Sequence, residues 1–208
     1  GVSGALHFQT GTTSSGASGR IDIVSGAATG GKGGDIMLSV GNGNTGVGGI
    51  ISISGGKTSA NNQLGGEVLL YGGESSSGVG GSVIVKGGES SSNTGGSISF
   101  TTGLSTASSS GSIIISSVNA GTKGVSGALE FRTGTSSCGS TGSLKIQTGA
   151  ATGGASGELV ISVGEGQSGG NVDISSGGAS QNTGGNIFIK SGYSDATSSG
   201  GIILSTVN

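Results

Sequence analysis

Very few residues of the 208-residue chain could do acid–base or nucleophilic chemistry, because it has one histidine and one cysteine. His7 lies between two apolar residues, on the side of its segment that alternation assigns to solvent. Cys138 stands in a run of small residues, at the place that Ser15 takes in an earlier repeat. Because neither position pairs a nucleophile with a base, the sequence predicts no enzyme and no catalytic residue. A lone thiol forms no intramolecular disulfide, and a cross-link between chains through Cys138 stays open.

Two glycine motifs match nucleotide-binding patterns. The spacing Gly-x-Gly-x-x-Gly occurs at Gly41–Gly46 and at Gly164–Gly169, but each time the next predicted element is a strand. A dinucleotide site needs a helix N-terminus at that point to hold the pyrophosphate. The tripeptide that begins at Gly56 resembles the end of a P-loop, yet Ile51 stands where that motif requires its first glycine. The sequence therefore predicts no bound cofactor.

Charge and hydropathy exclude further classes of partner. Calcium-binding β-rolls carry an aspartate in each turn, whereas Asp22, Asp35, Asp173 and Asp195 are scattered, so no metal site is predicted. Charged residues make up 9% of the chain and the net charge is −2. No apolar run reaches the roughly 18 residues that a membrane-spanning helix needs. We therefore expect no nucleic-acid partner and no membrane insertion.

A unit of about 15 residues recurs fourteen times along the chain. In each unit two apolar residues stand two positions apart, and we call the first of them the anchor. Successive anchors are 13 to 17 residues apart, most often 15, which is typical of a repeat array. The anchors are Leu6, Ile21, Ile36, Ile51, Val68, Val83, Ile98, Ile113, Leu129, Leu144, Leu159, Val172, Ile187 and Ile202.

Each apolar pair predicts a short β-strand with one buried face, because strand side chains alternate between two faces. Glycine follows the anchor by five residues in twelve repeats and recurs shortly before the next strand, which suits the two corners of a flattened coil. The arm between these corners carries small residues almost throughout. Stacking of such coils predicts an all-β fold, a β-solenoid of about fourteen 15-residue repeats. One 15-residue coil per turn is favoured, and two repeats per turn stay open.

The sequence also has a longer repeat, which contains several of the 15-residue units. Gly1–Leu6 returns as Gly124–Leu129 and Gly26–Gly31 returns as Gly149–Gly154, both with an offset of 123 residues. We predict a first array copy of eight rungs at 1–119, a junction within the solenoid at 120–123 and a second copy of six rungs at 124–208. Together they form one continuous structural domain. Because neither end has a capping unit, we expect a segment of a longer array.

Two stretches of the chain resemble sequences that recur in a known class of proteins. They are Asn119–Ala128 (Asn-Ala-Gly-Thr-Lys-Gly-Val-Ser-Gly-Ala) and Gly26–Gly34 (Gly-Ala-Ala-Thr-Gly-Gly-Lys-Gly-Gly). They are similar to the long Gly/Ser-rich repeat proteins of the cell surface or extracellular matrix in diatoms and related algae. The resemblance covers essentially the whole chain. It implies an extracellular or cell-surface structural role and supplies no catalytic residue.

Six apolar residues occupy the outward position of their predicted strands, where a solitary rod would have polar side chains. They predict a surface through which the chain associates with itself, end to end or laterally, or with further repeats of the same chain. We expect a structural extracellular protein that forms or decorates a stiff fibre, filament or adhesive by stacking solenoid rungs. The alternative is an ice-binding or carbohydrate-binding solenoid module. The six residues are Leu69, Ile84, Ile114, Val160, Phe188 and Ile203.

Overall fold

The computed structural model describes residues 3–206, and within that range the backbone forms no α-helix and no β-strand. It consists of irregular stretches joined by short bends. The prediction of an all-β β-solenoid is therefore wrong, because the parallel ladder that would join one coil to the next is missing from the described residues. For the same reason the choice between 15 and 30 residues per turn does not arise.

The described residues also contain no hydrophobic core, because none of their side chains is buried. Ile51 is the least exposed of the anchors and still has 47% of its surface in solvent, and Ile115, assigned to the inward face, has 58%. The accessible surface is 20813 Å², whereas a compact protein of this mass exposes about 8,500 Å² and an unfolded one about 28,000 Å². Most of the surface that folding normally removes from water thus stays in contact with it.

The composition explains why the predicted core does not form. Glycine makes up 51 of the 208 residues, and it loses more conformational freedom on ordering than any other residue. Each repeat offers between two and six large apolar side chains to offset the ordering of about 15 residues. The strand prediction considered the alternation of these side chains and ignored how few they are.

The bends keep the 15-residue register of the sequence. In thirteen repeats the backbone bends sharply eight or nine residues after the anchor, within the arm of small residues. The arm is therefore a reversal of the chain in solvent, and it does not lie over a row of isoleucines as the solenoid required. The bends occupy residues 14–16, 29–31, 44–47, 60–62, 76–78, 91–93, 106–108, 122–123, 137–139, 152–154, 167–168, 180–182 and 195–197.

The chain divides into two units, Gly1–Ser110 and Gly111–Asn208. The described part of each unit repeats the same alternation of apolar segment and bend. The predicted junction at 120–123 lies inside the second unit, where the Gly124 amide donates to the Gly121 carbonyl at 3.4 Å across a tight turn.

We expect heating of the dilute chain to produce no cooperative heat absorption, because no core is present to melt. A cooperatively folded protein of this length would absorb about 150 kcal/mol at its midpoint. Differential scanning calorimetry at a concentration where sedimentation shows only monomer measures this directly. A sharp two-state transition of the monomer, with an enthalpy of that order, would contradict the open chain.

Candidate association surface

Five repeats form a closed loop, in which the chain leaves the apolar segment, bends and returns to its starting point. A backbone hydrogen bond of 2.8–2.9 Å between two glycines closes each loop. These bonds join residues only eight or ten positions apart, so loop closure costs little entropy. The donor and acceptor pairs are Gly66 to Gly56, Gly81 to Gly73, Gly96 to Gly88, Gly185 to Gly177 and Gly200 to Gly192.

In three of these closures glycine is required four residues after the anchor, because the two backbones touch there. A Cβ atom added to Gly72 would overlap the carbonyl oxygen of Gly81, and one added to Gly55 would overlap that of Gly66. Gly73, the neighbour of Gly72, has open space around the corresponding position. The sequence signal for this contact is a Gly-Gly pair four and five residues after the anchor, which occurs in three repeats.

In two loops that lack the second glycine the chain approaches itself less closely. A Cβ atom on Gly19 would lie 3.6 Å from the side chain of Thr10, and one on Gly34 would lie 3.3 Å from Ser25. No backbone hydrogen bond closes these two loops within the described residues. A side chain four residues after the anchor does not by itself prevent closure, since Ser176 and Ser191 occupy this position in two loops that close with hydrogen bonds of 2.9 Å.

A hydroxyl side chain stabilises the bend in seven repeats. Ser75 Oγ accepts the Gly78 amide at 2.8 Å, and Ser90 Oγ accepts the Asn93 amide at 2.9 Å, as in the Ser/Thr turns that compete with regular structure. The residue seven positions after the anchor is Ser or Thr in these seven repeats and in no other repeat. The hydroxyl that stabilises the bend could therefore have been predicted from the sequence. The remaining hydroxyls are Thr13, Thr58, Ser105, Ser136 and Ser194.

All six residues of the predicted association surface are exposed. Ile203 is 89% exposed and Leu69, the most covered of them, is 61% exposed. Each is the middle residue of an apolar triplet, by which we mean three consecutive large apolar residues that begin at an anchor. A seventh triplet, centred on Met37 with 88% exposure, was missed because the prediction did not count methionine. The triplets are Ile36–Leu38, Val68–Leu70, Val83–Val85, Ile113–Ile115, Leu159–Ile161, Ile187–Ile189 and Ile202–Leu204.

The structure does not join the apolar triplets to one another by hydrogen bonds or ion pairs. Among the described residues, the hydrogen bond with the largest separation in sequence joins Gly56 and Gly66, ten residues apart. None of the backbone hydrogen bonds involves a triplet. In every triplet the middle residue is more exposed than the anchor; for Ile114 and Ile113 the fractions are 84% and 55%. The candidate surface is thus a series of short apolar segments on separate repeats.

Charged side chains form local pairs in solvent and build no binding site. Arg20 contacts Asp22 at 2.9 Å, Lys32 contacts Asp35 at 2.8 Å, and Lys86 contacts Glu89. Arg132 lies 3.4 Å from Glu130. Exposed pairs of this kind contribute little to stability.

The described residues give no sign of metal or membrane chemistry. They contain no group of three or more metal-ligating side chains, and none of their segments is a helix long and apolar enough to cross a bilayer. His7 and Cys138 are both exposed, and the Cys138 carbonyl accepts a hydrogen bond from Ser136 Oγ at 3.1 Å.

Comparison of the chain with protein-family models, with curated proteins and with solved structures found no match.

We expect Gly72→Ala to open the loop Gly73–Gly81, because its Cβ would displace the Gly81 carbonyl. The loss of one exposed hydrogen bond should raise the exchange rate of the Gly81 amide about two- to tenfold. Gly73→Ala is the matched control, since nothing lies near its Cβ position. Amide exchange of Gly81 by NMR measures both variants, and an equal effect of the two would show that the backbones do not touch at Gly72.

Proposed function

We propose that the chain is an extracellular structural repeat protein that associates with further copies of itself to form or decorate a fibre, filament or adhesive. The exposure of every large apolar side chain among the described residues carries this proposal. Burying one Val, Leu, Ile or Phe side chain contributes about 1.5–3 kcal/mol, and the isolated chain obtains only part of it because none of these side chains is buried. Association with other chains is the remaining way to remove these side chains from water.

The distribution of the apolar residues favours association over binding of a small ligand. A ligand site gathers apolar side chains into one concave surface, whereas here they recur in every repeat along the whole chain. The backbone groups of the apolar segments also lack hydrogen-bond partners from the described chain. Another chain offers both apolar side chains and backbone partners, as unpaired segments of sheet proteins do.

The low charge permits close contact between copies. The net charge is −2 over 208 residues and the isoelectric point is about 5.2, so copies repel one another weakly at neutral pH. The hydroxyl-rich bends stay in water, so we expect the apolar segments to make the contacts between copies. The extracellular location rests on the resemblance of the repeats to Gly/Ser-rich surface proteins of diatoms and related algae.

This mechanism differs from the stacking of solenoid rungs within one chain. Order comes from contacts between chains, and the closed loops act as spacers between successive contacts. Ice or carbohydrate binding by a flat ladder would need a rigid arrangement of side chains, and no strand within residues 3–206 holds one. We therefore do not advance that alternative as a second function.

We expect the purified chain to associate as its concentration rises, in sedimentation and light scattering over a series from micromolar to millimolar. Sodium sulfate should lower the concentration at which association begins, because it strengthens apolar burial. Sodium chloride at about 0.15 M should have little effect, because screening acts on charges and few are present. A chain that stays monomeric throughout the series, with and without sulfate, would contradict the proposed function.

A further inference from the structure

We infer that copies of this chain first contact each other at Ile113–Ile115 and Ile202–Leu204, and that the occupant of each site is an apolar triplet of a second copy. The inference rests on the proposed function and names the part of the chain that performs it. It is carried by the position of charged residues relative to the seven exposed triplets.

Five of the seven apolar triplets have a charged residue directly beside them. A charge at that position must lose part of its water shell when a partner covers the triplet, and proteins place such residues next to apolar segments to oppose association. The five charged neighbours are Asp35, Glu67, Lys86, Glu158 and Lys190.

The remaining two triplets have no such neighbour. Ile113–Ile115 lies in a run from 90 to 122 that contains no charged residue, the longest uncharged run in the chain. The nearest charged side chain to Ile202–Leu204 is that of Asp195, seven residues before it. A partner can cover either triplet without desolvating a charge.

The exposure of Ile113–Ile115 indicates how a partner would cover it. Ile113 and Ile115 are 55% and 58% exposed and Ile114 is 84% exposed, so side chains on both sides of the segment are in solvent. One partner can cover only one side. A second copy on each side removes all three side chains from water, which is how short uncharged apolar segments assemble into paired sheets. The assembly is then open-ended and does not stop at a dimer.

A second copy is favoured over another protein because the segment is self-complementary. Uncharged isoleucine triplets fit one another, and nothing in the run 90–122 provides a charge pattern that would select a different partner. The two uncharged triplets also lie at equivalent places, since Gly111–Asn119 and Gly200–Asn208 have closely similar sequences. Each long repeat therefore carries one association segment.

The test compares two double variants of the full chain with the same change of charge. Ile114→Glu with Ile203→Glu alters the two uncharged triplets, and Ile84→Glu with Phe188→Glu alters two triplets that already have a charged neighbour. The four side chains are 78–89% exposed in the described chain, so neither variant removes a packed residue. We expect the first variant to raise the threshold concentration for association at least tenfold and the second to raise it no more than twofold.

A gain-of-association variant provides an independent check. Lys86→Ser removes the charge beside Val83–Val85 and should lower the threshold concentration. Lys145→Ser makes the same change of net charge between Leu144 and Ile146, outside any apolar triplet, and should leave the threshold near that of the wild type.

The outcomes separate the two proposals. If the wild-type chain associates and the two double variants shift the threshold alike, the uncharged triplets are not the first contacts and only this inference fails. Equal effects of Lys86→Ser and Lys145→Ser would overturn it in the same way. If the wild-type chain stays monomeric throughout, the proposed function fails as well.

Discussion

The scarcity of large apolar side chains relative to glycine is the constraint on which the conformation of this chain depends. A quarter of the residues are glycine, and ordering each of them costs more conformational entropy than ordering any other residue. Ile51 shows the result, because even this least exposed anchor has nearly half of its surface in water. The chain therefore adopts the structure that its local contacts stabilise.

The local contacts depend on the same glycines. The Gly81 amide donates to the Gly73 carbonyl at 2.8 Å, and in this loop a Cβ atom on Gly72 would overlap the Gly81 carbonyl oxygen. Ser75 then stabilises the bend of this loop through the Gly78 amide. Both contacts lie within a few residues and require no core, so they form where a long-range ladder does not. Glycine thus prevents one structure and permits the other.

Part of this arrangement could be predicted from the sequence. The 15-residue register reappears in the bends. Ile84 and Ile114 are exposed, but so is every other large apolar residue of the described chain, so their exposure does not distinguish an outward face. The inward assignment of Ile115 was wrong, because alternation states which side chains share a face and does not state whether anything covers that face. The role of Gly72 was missed because the prediction assigned glycine only to the corners of a coil and did not consider a second glycine beside the corner. The charged neighbours of the triplets, such as Lys86, can be found in the sequence. Their effect on association could be inferred only after the structure showed that the triplets are exposed.

Amide hydrogen exchange of the dilute monomer, resolved by NMR, tests most directly whether local contacts alone order the chain. The account predicts that protection is confined to the loop-closing amides of Gly66, Gly81, Gly96, Gly185 and Gly200 and to the amides of the bends, and that it stays below about tenfold. The amides of Ile113–Ile115 should exchange at the rate of an unstructured peptide. Protection of those amides by about a thousandfold or more in the monomer would reveal a stable ladder within one chain and would contradict the account.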